Sequence, residues 1–346
     1  MRQVFIILLI IFTIVSPASA LEFEAPEAPD PAQQYLDDDA QTFAEGIWFV
    51  IRSAIGQLQP DLAEAGKTCL SLLAVMLLVS IMRSYSGVSK QIVDLVSALC
   101  VATALLHAAN SMIMLGTQTV TQISDYNKLL LPVMTASLAA QGGTTSSAAL
   151  YTGTAFFNAL LSSGIANLIV PMIYIHMIMC IGYRAIGEEM LKNLRDLTKW
   201  LITWSLKIIL YVFTGYLSIT GVVSGTTDAA ALKATKLTLS GIVPVVGNIV
   251  SDASETILVG AGVLKNAVGV YGLLVIAALW IGPFIQIGTQ YLLLKLLSAV
   301  STAFGSKEAG GLIKDFSSIM GILVAMTGTV CLLVLVSVVC YLRGVG

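Results

Sequence analysis

This sequence predicts an all-α, polytopic helical membrane protein with about six spans plus one or two re-entrant or interfacial helices. Three observations predict it. Hydrophobic residues make up 57% of the 346 positions and charged residues only 11%, against about 25% charged in a soluble globular domain. The mean hydropathy is +0.89. Long apolar runs recur along the chain, separated by short charged connections. The net charge of −2 gives no basis for binding nucleic acid.

At the N-terminus, residues 1–20 read MRQVFIILLIIFTIVSPASA. Arg2 precedes an apolar run from Val4 to Val15, which is shorter than the roughly 20 residues that cross a bilayer. Ala18 and Ala20 then form an A-x-A cleavage site, so the segment is expected to be a signal peptide that sends the adjoining leader out of the cytoplasm. Residues 21–66 form this acidic extracytoplasmic leader, with ten acids and one base, Arg52. Pro26, Pro29 and Pro31 predict an extended, mobile start. Phe43, Ile47, Trp48, Ile51 and Ile55 are spaced for an amphipathic helix at the membrane surface.

Residues 67–346 form the helical membrane domain. Its expected spans are 68–82, 92–115, 155–182, 200–223, 269–294 and 317–341. Two further apolar stretches, 129–140 and 241–262, are short or broken and suit re-entrant or interfacial helices. If 241–262 crosses fully, there are seven spans and the C-terminus changes side. With the N-terminus outside, the cytoplasmic loops hold nine bases, Arg83, Lys90, Arg184, Lys192, Arg195, Lys199, Lys295, Lys307 and Lys314, and the outer loops and tail hold five. That bias supports the orientation. The loop 184–199, RAIGEEMLKNLRDLTK, reads as an amphipathic helix that lies on the membrane or docks a cytoplasmic partner such as an ATPase.

Enzymatic chemistry finds no footing. The five cysteines lie in apolar runs without CxxC spacing and read as small buried hydrophobes. His107 and His176 are too few for a histidine-rich metal site, and HExxH and GxSxG are absent. Each histidine reads as a packed or inter-helix bonded side chain. Asp94 suits the interface at the start of its span, and Lys207 suits snorkelling. No cofactor is expected.

The most polar break in the apolar sequence is VPVVGNIVSDASE, residues 243–255. Pro244 and Gly247 interrupt a helix, and Asn248 adds a polar group. Asp252 and Glu255 have the spacing of a capping box. They either restart a helix or line a polar pathway, since an acid at membrane depth is a functional candidate. In VGAGVLKNAVG, small residues suit close helix packing, while Lys265 and Asn266 add polar groups. Lys265 falls ten residues after Glu255, roughly 15 Å along a continuous helix, too far for direct pairing. Pro244, Gly247, Asn248, Asp252, Glu255, Lys265 and Asn266 are therefore the proposed pathway or interface residues.

The stretch VPVVGNIVSDASETILVGAGVLKNAVGVYGLL resembles the stage III sporulation protein AE family of endospore-forming bacteria. The signal peptide, the acidic leader, LIVPMIYIHM at 168–177 and DAAALKATKLTLSGIVPVVG at 228–247 fit the same order. The resemblance implies a channel or permease-like component of a secretion-like complex joining mother cell and forespore, needed for late forespore gene expression. It implies the mother-cell-derived outer forespore membrane, with the leader in the intermembrane space. Implied partners are other stage III proteins, including ring-forming subunits and a cytoplasmic ATPase. A self-contained secondary transporter and a pore-less assembly scaffold are the alternatives. The resemblance supplies no catalytic residues.

Overall fold

The computed structural model describes residues 25–36, 43–84, 89–140, 144–219, 267–303 and 307–343, and the described residues form helices only. They are α1 (Asp30–Gln33), α2 (Phe43–Gly56), α3 (Leu58–Ser84), α4 (Lys90–Ala140), α5 (Thr144–Gly164), a π-helical turn (Ile165–Ile169), α6 (Val170–Ile186), α7 (Glu189–Ile219), α8 (Ala267–Ala303) and α9 (Lys307–Arg343). Six helical stretches among them are long and apolar enough to cross a membrane. This bears out the all-helical expectation, with six candidate spans among the described residues; 241–262, on which a seventh span would depend, lies outside them. The chain is an integral membrane protein.

The arrangement is organised around α9. An apolar helix without a polar face must be buried in protein or lipid. In α9, 94% of the apolar window is buried by the protein itself, against 17% for α7. It packs most extensively on α8 and α4 and also touches α5, α6 and α7. Thus α9 is the core of the bundle, and the large exposed apolar side chains of α3 and α7, such as Leu70, Leu78, Trp200 and Tyr211, face outward. In a bilayer, that outward surface is the one lipid covers.

Several local features arise from individual residues. Pro60 cannot donate to a carbonyl one turn earlier, and the helix breaks between Gly56 and Leu58. On α2, the small residues Gly46, Val50 and Ala54 are buried, and Gly46 meets Leu274 of α8. The large apolar residues Trp48, Ile51 and Ile55 face outward. Pro171 lies just after the π-helical turn, where the Val170 N–H reaches back to the Ile165 carbonyl. The wider turn makes room for the proline ring and lets one rod run from Thr144 to Ile186.

Three expectations are revised. The stretch 129–140 is not a separate re-entrant or interfacial helix, because it is the end of α4, which runs 51 residues, or about 76 Å. Helical periodicity survives the polar stretch between the two apolar runs: Val120, Ile123, Tyr126, Leu130 and Met134 continue one buried stripe. Thr117, Thr119 and Thr121 donate their hydroxyls to carbonyls one turn back, which satisfies them within the helix. The loop 184–199 is not an independent surface helix either. Gly187, at φ +82°, ends α6, and α7 runs from Glu189 without interruption into the apolar span.

The described start of the leader is also packed rather than extended. Pro31 opens α1 at a helix-initiating position, and Ala28, Ala32 and Tyr35 are buried. The Tyr35 hydroxyl donates to the Gln57 side-chain oxygen, and its ring lies against Gly282 of α8. The Tyr126 hydroxyl reaches the Pro26 carbonyl at 3.4 Å.

Candidate functional site

Pro244, Gly247, Asn248, Asp252, Glu255, Lys265 and Asn266 lie outside the described residues, as does the 1–20 signal segment. Of the other singled-out side chains, His107 and Lys207 are exposed. His176 is buried and bridges two helices. Its Nδ1 stands 3.1 Å from both the Arg195 carbonyl and the Thr198 hydroxyl, and its Nε2 stands 3.6 Å from Cys180 Sγ. His176 is thus inter-helix bonded, one of the two settings expected of each histidine, whereas the exposed His107 departs from the packed setting expected of it. Among the described residues no His, Cys, Asp and Glu cluster suited to a metal is present.

The structure instead assembles a charged site where the end of α6 and the starts of α7 and α9 meet. Its centre is Asp315. Oδ2 of Asp315 accepts from Arg184 Nε at 3.0 Å and from Arg195 Nη1 at 3.3 Å. Arg184 also reaches Glu308 at 3.5 Å, and Arg195 pairs with Asp196 at 2.8 Å. The side chains of Arg184, Arg195 and Asp315 retain only 18%, 13% and 15% exposure. Charges removed this far from water are costly unless paired and hydrogen-bonded, so the three groups depend on one another.

Local sequence explains the convergence. Gly187 adopts the left-handed conformation that stops α6, and its N–H bonds to the Tyr183 carbonyl at 2.8 Å. The chain turns back at once into α7, bringing Arg195 beside Tyr183. Both guanidinium groups lie over the Tyr183 ring, Arg184 at 5.1 Å and Arg195 at 4.8 Å. Across the cluster, Gly311 of α9 admits the Arg184 guanidinium. A Cβ on Gly311 would fall 2.4 Å from Arg184 Cζ and Nη1.

Beside this lock lies a cavity of about 230 Å³. Four basic residues line it, Arg184, Arg195, Lys199 and Lys314, together with two acids, Asp196 and Asp315, and the polar His176 and Ser318. Sequence reasoning used these bases to orient the chain and, for those in 184–199, to place an amphipathic helix; it missed Glu308 and Asp315. The available signal was Asp315 itself, an acid at the entry to the most apolar helix. Its arginine partners lie 131 and 120 residues away, a pairing that helix periodicity does not encode. The arrangement fixes three helices to one another and presents an excess of positive charge.

The sequence model for "Stage III sporulation protein AE (spore_III_AE)" matches residues 35–343. A curated relative from Bacillus subtilis (strain 168), called "Stage III sporulation protein AE", is 26% identical over 222 residues. That match covers 64% of this chain and 55% of the relative, so the chain spans about half the relative's length. No solved structure matches the chain.

Proposed function

This chain belongs to the stage III sporulation protein AE family, and we propose that it is a non-enzymatic channel or permease-like subunit of the complex joining mother cell and forespore. Membership supports a role in sporulation, and the six apolar helices support a place in the membrane. In this reading the protein resides in the mother-cell-derived outer forespore membrane, with its leader in the intermembrane space. Ring-forming stage III proteins and a cytoplasmic ATPase are its partners, and its contribution sustains late forespore gene expression.

The observation that directs the reading is the packing of α9. A self-contained transporter places polar, broken helices at the centre of the bundle. Here the central helix is an unbroken apolar one, enclosed by its neighbours. In this reading a conduit involving this subunit forms between chains or along its outer faces, and the enclosure of α9 supports placing it away from α9.

Native thiols provide the test, because Cys331 and Cys340 are both buried in α9. In membranes from sporulating cells, a charged, water-soluble maleimide is expected to leave both unlabelled until the protein is unfolded. Single-cysteine variants at Thr327, Thr329 and Ser337 extend the test, since all three are buried on α9. Labelling of a continuous face of α9 would overturn the between-chain reading and favour the transporter. The same enclosed core also suits a pore-less scaffold. That reading prevails if no outer helix acquires a water-accessible stripe when the complex is complete.

A further inference from the structure

The cavity beside the Asp315 lock has more positive charge than its own acids neutralise. Its lining holds four basic and two acidic side chains, and Glu308, outside the lining, takes a further contact from Arg184, which leaves one positive charge in excess. Asp315 is already engaged by both arginines, and Asp196 is engaged by Arg195. Lys199 and Lys314 make no ion pair among the described residues, and Arg184 Nη2 donates to none of them. The Arg184 guanidinium and the Lys199 ammonium are partly shielded from water, and Lys314 adds an exposed positive charge beside them, so the lining attracts an anion.

The site is also preorganised. Asp315, Tyr183 and the close approach at Gly311 fix the Arg184 and Arg195 guanidinium groups before any ligand arrives. Planar guanidinium forks with nearby lysines match a tetrahedral phosphate in both geometry and charge. By volume, the cavity's 230 Å³ holds roughly seven water molecules, enough for a phosphate with its ester oxygens.

A separate feature sets the depth of the site. Trp200 and Trp204 stack on α7 with ring centroids 5.3 Å apart. They remain 54% and 49% exposed, facing outward. Tryptophans on the outer face of a spanning helix sit at the membrane–water interface. Lys199 precedes Trp200, and Arg195 lies about one turn further toward the helix start. Exposed tryptophans beside the cavity support a place for it near the lipid headgroups.

We propose that this cavity binds the phosphate of an anionic phospholipid headgroup, and that Arg184, Arg195, Lys199 and Lys314 recognise it. The bound lipid then bridges α6, α7 and α9 at the membrane surface. The proposal does not depend on whether the protein forms a channel.

The test uses the purified full chain in detergent. Lipid retention and thermal unfolding are measured with added phosphatidylglycerol, with diacylglycerol of the same acyl chains, and with inorganic phosphate. Phosphatidylglycerol is expected to bind and raise the unfolding temperature, while diacylglycerol does neither. The variant carrying Lys199→Gln and Lys314→Gln leaves the arginine–aspartate lock in place. It should bind phosphatidylglycerol about 30-fold more weakly, from two basic groups each contributing on the order of 1 kcal/mol, and unfold at the wild-type temperature without lipid. Lys207→Gln, an exposed lysine on the same helix outside the cavity, should bind as wild type does. Equal binding by wild type and the double-lysine variant, or by diacylglycerol and phosphatidylglycerol, would overturn the site. Binding of inorganic phosphate but not phosphatidylglycerol, with the same lysine dependence, would keep a phosphate site and overturn the lipid as its source.

Discussion

Replacing Asp315 with asparagine tests whether one carboxylate holds the charged end of the bundle together. Asp315→Asn preserves shape and an acceptor oxygen but removes the negative charge shared by Arg184 and Arg195. Its Oδ2 lies 3.0 Å and 3.3 Å from the two donors. A hydrogen bond involving a charged group contributes roughly 1.5–3 kcal/mol net. Stripping one partner from a fully buried ion pair costs about 3–5 kcal/mol. The remaining exposure of 13–18% and the retained neutral acceptor place the loss below that, at about 2–3 kcal/mol.

The assay is thermal unfolding of the purified protein in detergent, followed by intrinsic tryptophan fluorescence. A loss of that size lowers the midpoint by roughly 4–12 °C, taking about 2–4 °C per kcal/mol for chains of this order. Asp196→Asn is the internal comparison. Asp196 is also paired with Arg195, but its side chain is 58% exposed, so its loss should cost no more than about 1 kcal/mol. Midpoints for Asp315→Asn and wild type within about 1 °C, or equal effects of the two substitutions, would refute the reasoning that burial makes Asp315 the linchpin.

Two further substitutions probe the packing. Gly311→Ala puts a Cβ 2.4 Å from the Arg184 guanidinium and should cost about 1–3 kcal/mol by overpacking. Combined with Asp315→Asn in a thermal-unfolding cycle, the two losses should fall short of additive, because both release Arg184. Asn127 on α4 is fully buried, and neither polar atom of its side chain finds a partner among the described residues. Asn127→Leu should therefore raise stability by about 1–2 kcal/mol in the same assay. A drop in stability instead would show that the amide meets an acceptor or donor in the folded protein.

Different parts of this molecule were legible in the sequence to different degrees. The spans were readable because a bilayer demands long apolar segments with satisfied backbones, and that demand is written in composition. Val268 to Ser301 and Glu308 to Leu342 declare themselves on those grounds alone. The continuity of α4 was harder to see. Thr117 to Lys128 reads as polar linker on hydropathy, yet its buried stripe and its threonine back-bonds keep it helical. Hydropathy averages over all faces of a helix and hides a narrow buried one. The leader misled for a similar reason: three prolines signal extended chain, but Tyr35 finds a glycine-floored seat on α8.

By itself, the sequence determined that this protein is helical, membrane-embedded and related to a sporulation family, because those properties rest on local composition and on motif order. Which helix is central could not come from it. α8 and α9 are both long and apolar, with window hydropathies of 2.2 and 2.7, yet 50% of one window is buried and 94% of the other. Only packing distinguishes a helix that faces lipid from one that faces protein, since both environments are equally apolar. The charged site was decided in the same way. Arg184, Arg195 and Asp315 sit on three helices, and a single aspartate can hold two arginines only after the bundle has brought the ends of those helices together.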